Sequence, residues 1–376
     1  MYEDWIASRV NSADYLKTSL KELKFAKKVN QLQPDRLKEI YRKASAVRRL
    51  RGFWITNFKQ TTDEEVAELE RERPTTRLLS IHVINGCNLA CRACNHNSSL
   101  LGIDSRVDID QLLQDIEVIL PKIYVWSHIS VIGGEPLLEP RTREVTKRIW
   151  ELCQETNQPC NVKLFSNGSK LKQEKEWIVD EMMKGVVFRL TFHKPWYTIE
   201  GSKNYENAYD FMEYAKSRGL DVNGGTFELS EAFRYDDGSP RQWFDLVKYD
   251  YSGDSIKYYP YEDKNPVESF KHCSCPNSQL YNGHLWKCPM ISYLRESLAV
   301  TGQLEDPEWQ KYLDYKPTSI IGTEKELRKS FKEVLVPHDI CNMCSANPKW
   351  FTATEQLDPK KKKNVEMFQP KTYDTV

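Results

Sequence analysis

Seven of the ten cysteines in this 376-residue chain fall into two groups, and thiols grouped by spacing are built for metal chemistry. The first group reads Cys87-Asn-Leu-Ala-Cys91-Arg-Ala-Cys94, three thiols spaced x3 and then x2, after an apolar strand-like run over 78–84. A cubane [4Fe–4S] cluster normally takes four thiolates. A compact loop that offers only three leaves one iron open to bind a substrate or cofactor. Zinc is the other reading of grouped thiols, but its sites usually pair C-x2-C knuckles across a longer gap. The x3–x2 triplet is not that pattern.

About forty residues further on, Ser130-Val-Ile-Gly133-Gly134-Glu135-Pro136 reads as a strand entering a turn. Paired glycines allow a backbone to approach a ligand closely, although the segment alone equally suits an ordinary turn. Triplet and turn together, in this order, resemble the signature of the radical S-adenosylmethionine (SAM) superfamily. The resemblance implies that Cys87, Cys91 and Cys94 hold a [4Fe–4S] cluster whose open iron chelates SAM. It further implies reductive cleavage of SAM to a 5′-deoxyadenosyl radical, and a reducing partner such as flavodoxin or ferredoxin. Gly133, Gly134, Glu135 and Pro136 are then expected beside the SAM amino group. Ser166 and Asn167, in Lys163-Leu-Phe-Ser166-Asn167-Gly-Ser, are expected near its ribose, or else form a plain Asn-Gly turn. Superfamily members usually carry an aromatic residue before the third cysteine, where this chain has Ala93.

Strand-like runs at 78–84, 128–132, 160–165, 186–192, 220–229 and 255–259 alternate with amphipathic helical patterns, such as Ile109-x2-Leu112-Leu113-x2-Ile116. Alternation of this kind predicts an α/β fold with a parallel sheet. Six such units suggest a partial (β/α)6 TIM-like barrel, with chemistry at the carboxyl ends of its strands. Polar residues there are candidates to contact substrate: His193, Glu228 and Tyr258, with Glu228 or His193 as a catalytic base.

The second group reads Cys273-x9-Gly283-x4-Cys288, followed by Cys341-Asn-Met-Cys344. It is similar to the twitch domain, the shortened form of the SPASM extension, which implies one auxiliary [4Fe–4S] cluster on Cys273, Cys288, Cys341 and Cys344. Tetrahedral zinc would be satisfied by the same four thiols. Asn282-Gly283 between alternating apolar residues predicts a hairpin turn. Cys275 sits at a shorter spacing, as a substitute ligand or a spare thiol. Cys153 and Cys160 read as small buried apolar residues.

The expected organisation is a helical N-terminal extension over 1–75, a barrel over 76–260, a twitch domain over 261–350 and a flexible basic tail over 351–376. Residues 1–60 hold fourteen Lys/Arg against six Asp/Glu, on two expected helices, 14–29 and 34–50. This face either docks an acidic partner or nucleic acid or packs on the barrel with its charges in water; the second reading is preferred. Hydrophobic residues make up 40% of a chain of zero net charge, and no apolar run approaches the roughly 18 residues of a membrane span. The N-terminus lacks the basic-then-apolar form of a signal peptide. A cytoplasmic protein is expected, a compartment that keeps thiols reduced. Three functional classes follow: net oxidation of a small polar metabolite such as a sugar, cyclitol or nucleotide; maturation of a ribosomally made peptide; or a non-catalytic iron–sulfur or zinc module.

Overall fold

The structure, a computed structural model, describes residues 34–49, 61–91, 93–194, 199–233, 241–250, 252, 256–273, 275 and 277–352. The expected helix over 14–29 and the tail beyond 352 lie outside these residues. The second expected N-terminal helix is present as Pro34–Arg49, and a further helix, Asp63–Glu72, opens with a capping box on Thr62.

Five of the apolar runs become the parallel strands β1 (Thr75–Ile84), β2 (Tyr124–Gly133), β3 (Asn161–Ser166), β4 (Val187–Phe192) and β5 (Phe227–Glu231), paired in chain order. Helices Ile109–Ile119, Thr142–Glu155, Leu171–Met183 and Ile199–Ser217 make the return crossings. Strands covered on both faces must be apolar almost continuously. β1 is buried at every position from Leu79 on, and β5 throughout. The run expected as a strand over 220–229 extends only from Phe227. Before it, Gly224 N–H donates to Asp221 O at 2.9 Å and Gly225 takes φ +91°, so the chain turns first.

Three short strands follow: β6 (Gln242–Phe244), β7 (Lys248–Asp250) and β8 (Lys257–Tyr259). β8 falls in the run expected as the sixth barrel strand, yet it pairs antiparallel with β7 in a separate ribbon. Only Tyr258 of its three residues is buried, too little for a place in a doubly covered sheet. The sixth parallel position is filled from the opposite edge. There β9 (Ser278–Tyr281), buried at all four positions, lies parallel to β1. β10 (His284–Trp286) and β11 (Thr318–Ser319) continue that edge antiparallel. The β9–β10 turn is the one read from Asn282-Gly283: both have positive φ, +48° and +69°, as a type I′ turn requires. Asp115, buried in helix Ile109–Ile119, accepts from Gly283 N–H at 2.7 Å and fixes the turn.

A main core lies between sheet and helices, and a second forms around Tyr258, Met290, Trp309, Tyr312 and Ile340. The last described strand, β12 (Trp350–Thr352), pairs with β6. Phe351 and Thr352, assigned to the tail from sequence, are therefore in the fold. Among the described residues no helix is long and apolar enough to cross a membrane.

Candidate active site and a second thiol cavity

The carboxyl ends of β1 and β2 are locked together before the cysteine loop begins. Their register shifts between His82 and Ile84, bringing Ile84 opposite Gly133. Gly134 N–H then donates to Ile84 O at 2.9 Å, and Glu135 N–H to Gly86 O at 3.0 Å. A Cβ on Gly134 would lie 1.9 Å from Gly86 O, and one on Gly133 would lie 2.2 Å from Ile84 O. The close approach that the paired glycines permit is thus to the chain itself, at the root of the Cys87 loop. This differs from the sequence expectation, which assigned the space to a ligand.

An open cleft of about 290 Å³ is lined by Cys87, Cys91, Cys94, residues 133–136, Ser166, Asn167 and His193. That is close to the lower end of small-molecule pockets, about 300–1,000 Å³. Ser166 and Asn167 do not stand free in it. Glu135 accepts from Ser166 Oγ and Asn167 N–H, both at 2.7 Å, and from Leu137 N–H at 3.1 Å. Burial pushes the Glu135 carboxyl up, and those donors pull it back. Asn167 Nδ2 donates to Asn88 Oδ1 at 2.9 Å, tying the end of β3 to the cysteine loop. Burial also raises the Cys87 thiol well above its ordinary range. His193 Nδ1 lies 3.4 Å from Cys91 Sγ, and burial lowers its imidazole to about 4. The burial that keeps it neutral at pH 7 also makes it a weak proton acceptor. Ala93, where an aromatic was expected, takes φ +62° in the cleft wall.

Glu228 is not in this lining. It is fully buried one layer deeper, its carboxylate 2.8 Å from Lys163 Nζ and 3.5 Å from Arg189 Nη1. The expected role as a base at the barrel mouth is corrected accordingly: inward parity was right, depth was not. Breaking such a buried pair leaves an uncompensated charge. Glu228→Gln is therefore expected to lower unfolding stability in denaturant by roughly 3 kcal/mol, and a Lys163→Met/Glu228→Leu pair to recover most of it. Tyr258 is also corrected: it is fully buried in the second core, against Trp309.

Lining residues not singled out from sequence include His96, Arg189, Thr191, Arg241 and Trp243. Arg189 and Thr191 share strand parity with His193, so alternation back from His193 could have found them. His96 stands two residues after Cys94, and its ring meets His82 edge-on at 4.5 Å. Nothing in the sequence marks Arg241 or Trp243.

Cys273, Cys275, Cys288, Cys341 and Cys344 line a second cavity. Helix Pro266–Lys271 leads into Cys273, Cys288 follows β10 by one residue, and a 3-10 turn at Asp339–Met343 presents Cys341 and Cys344. Cys273 Sγ accepts from Cys275 N–H at 3.2 Å. Cys275 is 2% exposed, and its Sγ accepts from Asn95 Nδ2 at 3.5 Å. Asn95 also lines the first cleft, so one side-chain contact joins the two cavities. Cys153 belongs to the main core, with Cys160 packed against that core.

Comparison with known proteins adds one assignment. Residues 75–194 match the model of a 4Fe-4S single cluster domain. The matched domain contains the Cys87 loop, the 133–136 turn, Ser166, Asn167 and His193. No curated protein matches the chain. Among solved structures, BtrN in complex with AdoMet and 2-DOIA aligns at 13% identity and TM-score 0.35, covering 69% of this chain and 87% of that one. Native anSMEcpe with bound AdoMet aligns at 13% identity and TM-score 0.35, covering 70% and 96%. SuiB of Streptococcus suis, bound to precursor peptide SuiA, aligns at 12% identity and TM-score 0.28, covering 66% and 70%. At such scores the reading of the site rests on the chain's own residues and the domain match.

Proposed function

We propose that this chain is a radical SAM enzyme carrying a second, auxiliary cluster, and that it oxidises a small polar metabolite of sugar, cyclitol or nucleotide type. The observation that carries it is one cleft lined by three loop thiols and a Gly-Gly-Glu-Pro turn, with no fourth cysteine in its wall. That donor set fits a cubane with one iron left for another ligand.

Cys87, Cys91 and Cys94 would hold the first cluster, with SAM beside residues 133–136, Ser166 and Asn167. When bound, cluster and SAM supply a one-electron cleavage whose adenosyl fragment removes hydrogen from the substrate. The chain's own part is positional. Glu135 clamps the ends of β2 and β3, and the Gly133-Gly134 turn holds the cysteine loop against β1. A radical that becomes a closed-shell product must also lose a proton, and His193, in the cleft wall beside Cys91, is the residue we assign to take it. Cys273, Cys288, Cys341 and Cys344 would hold the auxiliary cluster, as acceptor of the remaining electron. A flavodoxin- or ferredoxin-type reductant is the expected partner.

The test is anaerobic. Reconstituted protein with dithionite and SAM is expected to release 5′-deoxyadenosine, which a non-catalytic module would not. With substrate, 5′-deoxyadenosine and methionine should form in equal amount to a product lighter by a pair of hydrogen atoms. A redox-neutral product with SAM recovered would remove the oxidase reading. A precursor-peptide reading frame beside the coding sequence would point to peptide maturation instead.

A further inference from the structure

The second cavity contains a buried cation that no step above uses. Lys287 immediately precedes Cys288, is only 5% exposed, and lines the same wall as the cavity thiols. Its Nζ donates to Val336 O at 2.6 Å and to Glu333 O, at the carbonyl end of helix Glu324–Val334. That end carries the negative pole of the helix. The ring of Phe270 covers the ammonium from 5.1 Å. Cys273, Cys288, Cys341 and Cys344 stand in the same cavity wall. Carbonyls orient an ammonium but do not neutralise it, and a buried charge is retained only when something compensates it.

We propose that Lys287 is the counter-charge of the auxiliary cluster, a positioning residue whose ammonium makes that cluster easier to reduce. This rests on the reading that Cys273, Cys288, Cys341 and Cys344 hold a cluster. Cluster potential follows net charge and surroundings. Reduction adds one negative charge, and a fixed cation in a low-dielectric wall stabilises that state more than the oxidised one. The effect is local to the second cavity, since Lys287 is absent from the lining of the first.

The experiment is a redox titration followed by electron paramagnetic resonance, on full-length reconstituted protein. In Lys287→Met the auxiliary cluster's ratio of reduced to oxidised forms should fall at least about tenfold at fixed potential, a shift of about 59 mV for a one-electron couple. Lys287→Arg should keep the wild-type value, and the first cluster should not move in either. Full iron in Lys287→Met with an unmoved auxiliary signal would overturn the proposal. If Lys287→Met does not load iron, Lys287→Gln against Lys287→Arg decides, and equal potentials there overturn it. Failure of the underlying reading looks different: wild-type protein would bind only about four irons rather than about eight, and a Cys341→Ser/Cys344→Ser pair would lose none.

Discussion

Replacing Cys87, Cys91 and Cys94 together with alanine is expected to abolish 5′-deoxyadenosine formation and remove about four irons per chain, leaving the second cavity loaded. The three thiols line one cleft, and no other cysteine lines it, so no neighbour can substitute. Cys275 comes nearest, through Asn95, but its sulfur faces the second cavity. Folding should survive, because the three thiols are only partly buried and sit in a loop rather than the core. Iron analysis with product chromatography reads both effects. SAM cleavage undiminished in the triple variant would remove the first-cluster assignment, and with it the proposed function.

The second large effect is expected at Gly134. A Cβ there meets Gly86 O at 1.9 Å and Asn85 O at 2.7 Å, and both are backbone atoms that no rotamer change can move aside. Overpacking of this kind costs about 1–3 kcal/mol and occasionally more, and Gly134→Ala should sit at or above the top of that range. The strain is delivered to the root of the Cys87 loop, so loss of the first cluster should accompany loss of stability. Gly225→Ala gives the contrast: φ is +91° but nothing lies within 4 Å. It should cost only the left-handed penalty of about 1–2 kcal/mol and leave iron content unchanged. Denaturant unfolding and iron counts separate the two variants. Equal effects would mean that the turn is not what holds the loop.

The contrast between these glycines shows what a sequence carries. Thiol spacing, the Asn282-Gly283 turn and the crossing helix at Ile109–Ile119 are written in residues a few positions apart, and they are where reading placed them. The edge partner of β1 is not local: β9 follows β1 by almost two hundred residues. The strand-like run at 255–259 was the nearer candidate and the wrong one. Glu228 failed for a related reason. Alternation fixes which face a strand residue shows, but depth depends on register with neighbouring strands. Ser230, one inward position further along β5, reaches the cleft wall, while Glu228 is fully buried one layer below. Ser166 and Asn167 line the cleft, but their bonds to Glu135 and Asn88 depend on β2 and β3 ending side by side.

The β9 pairing carries a consequence for any shortened form of this protein. A chain cut at residue 260 would keep the Cys87 loop and all five strands from β1 to β5, and so would look like a self-sufficient cluster domain. It would also strip β1 of its neighbour, opening the amide and carbonyl groups that residues 79–81 now share with residues 278–280. An exposed apolar edge of that kind recruits strands from other molecules. The β9–β10 hairpin therefore also acts as a guard against self-association. A fragment without it should collect in the insoluble fraction before its chemistry can be assayed.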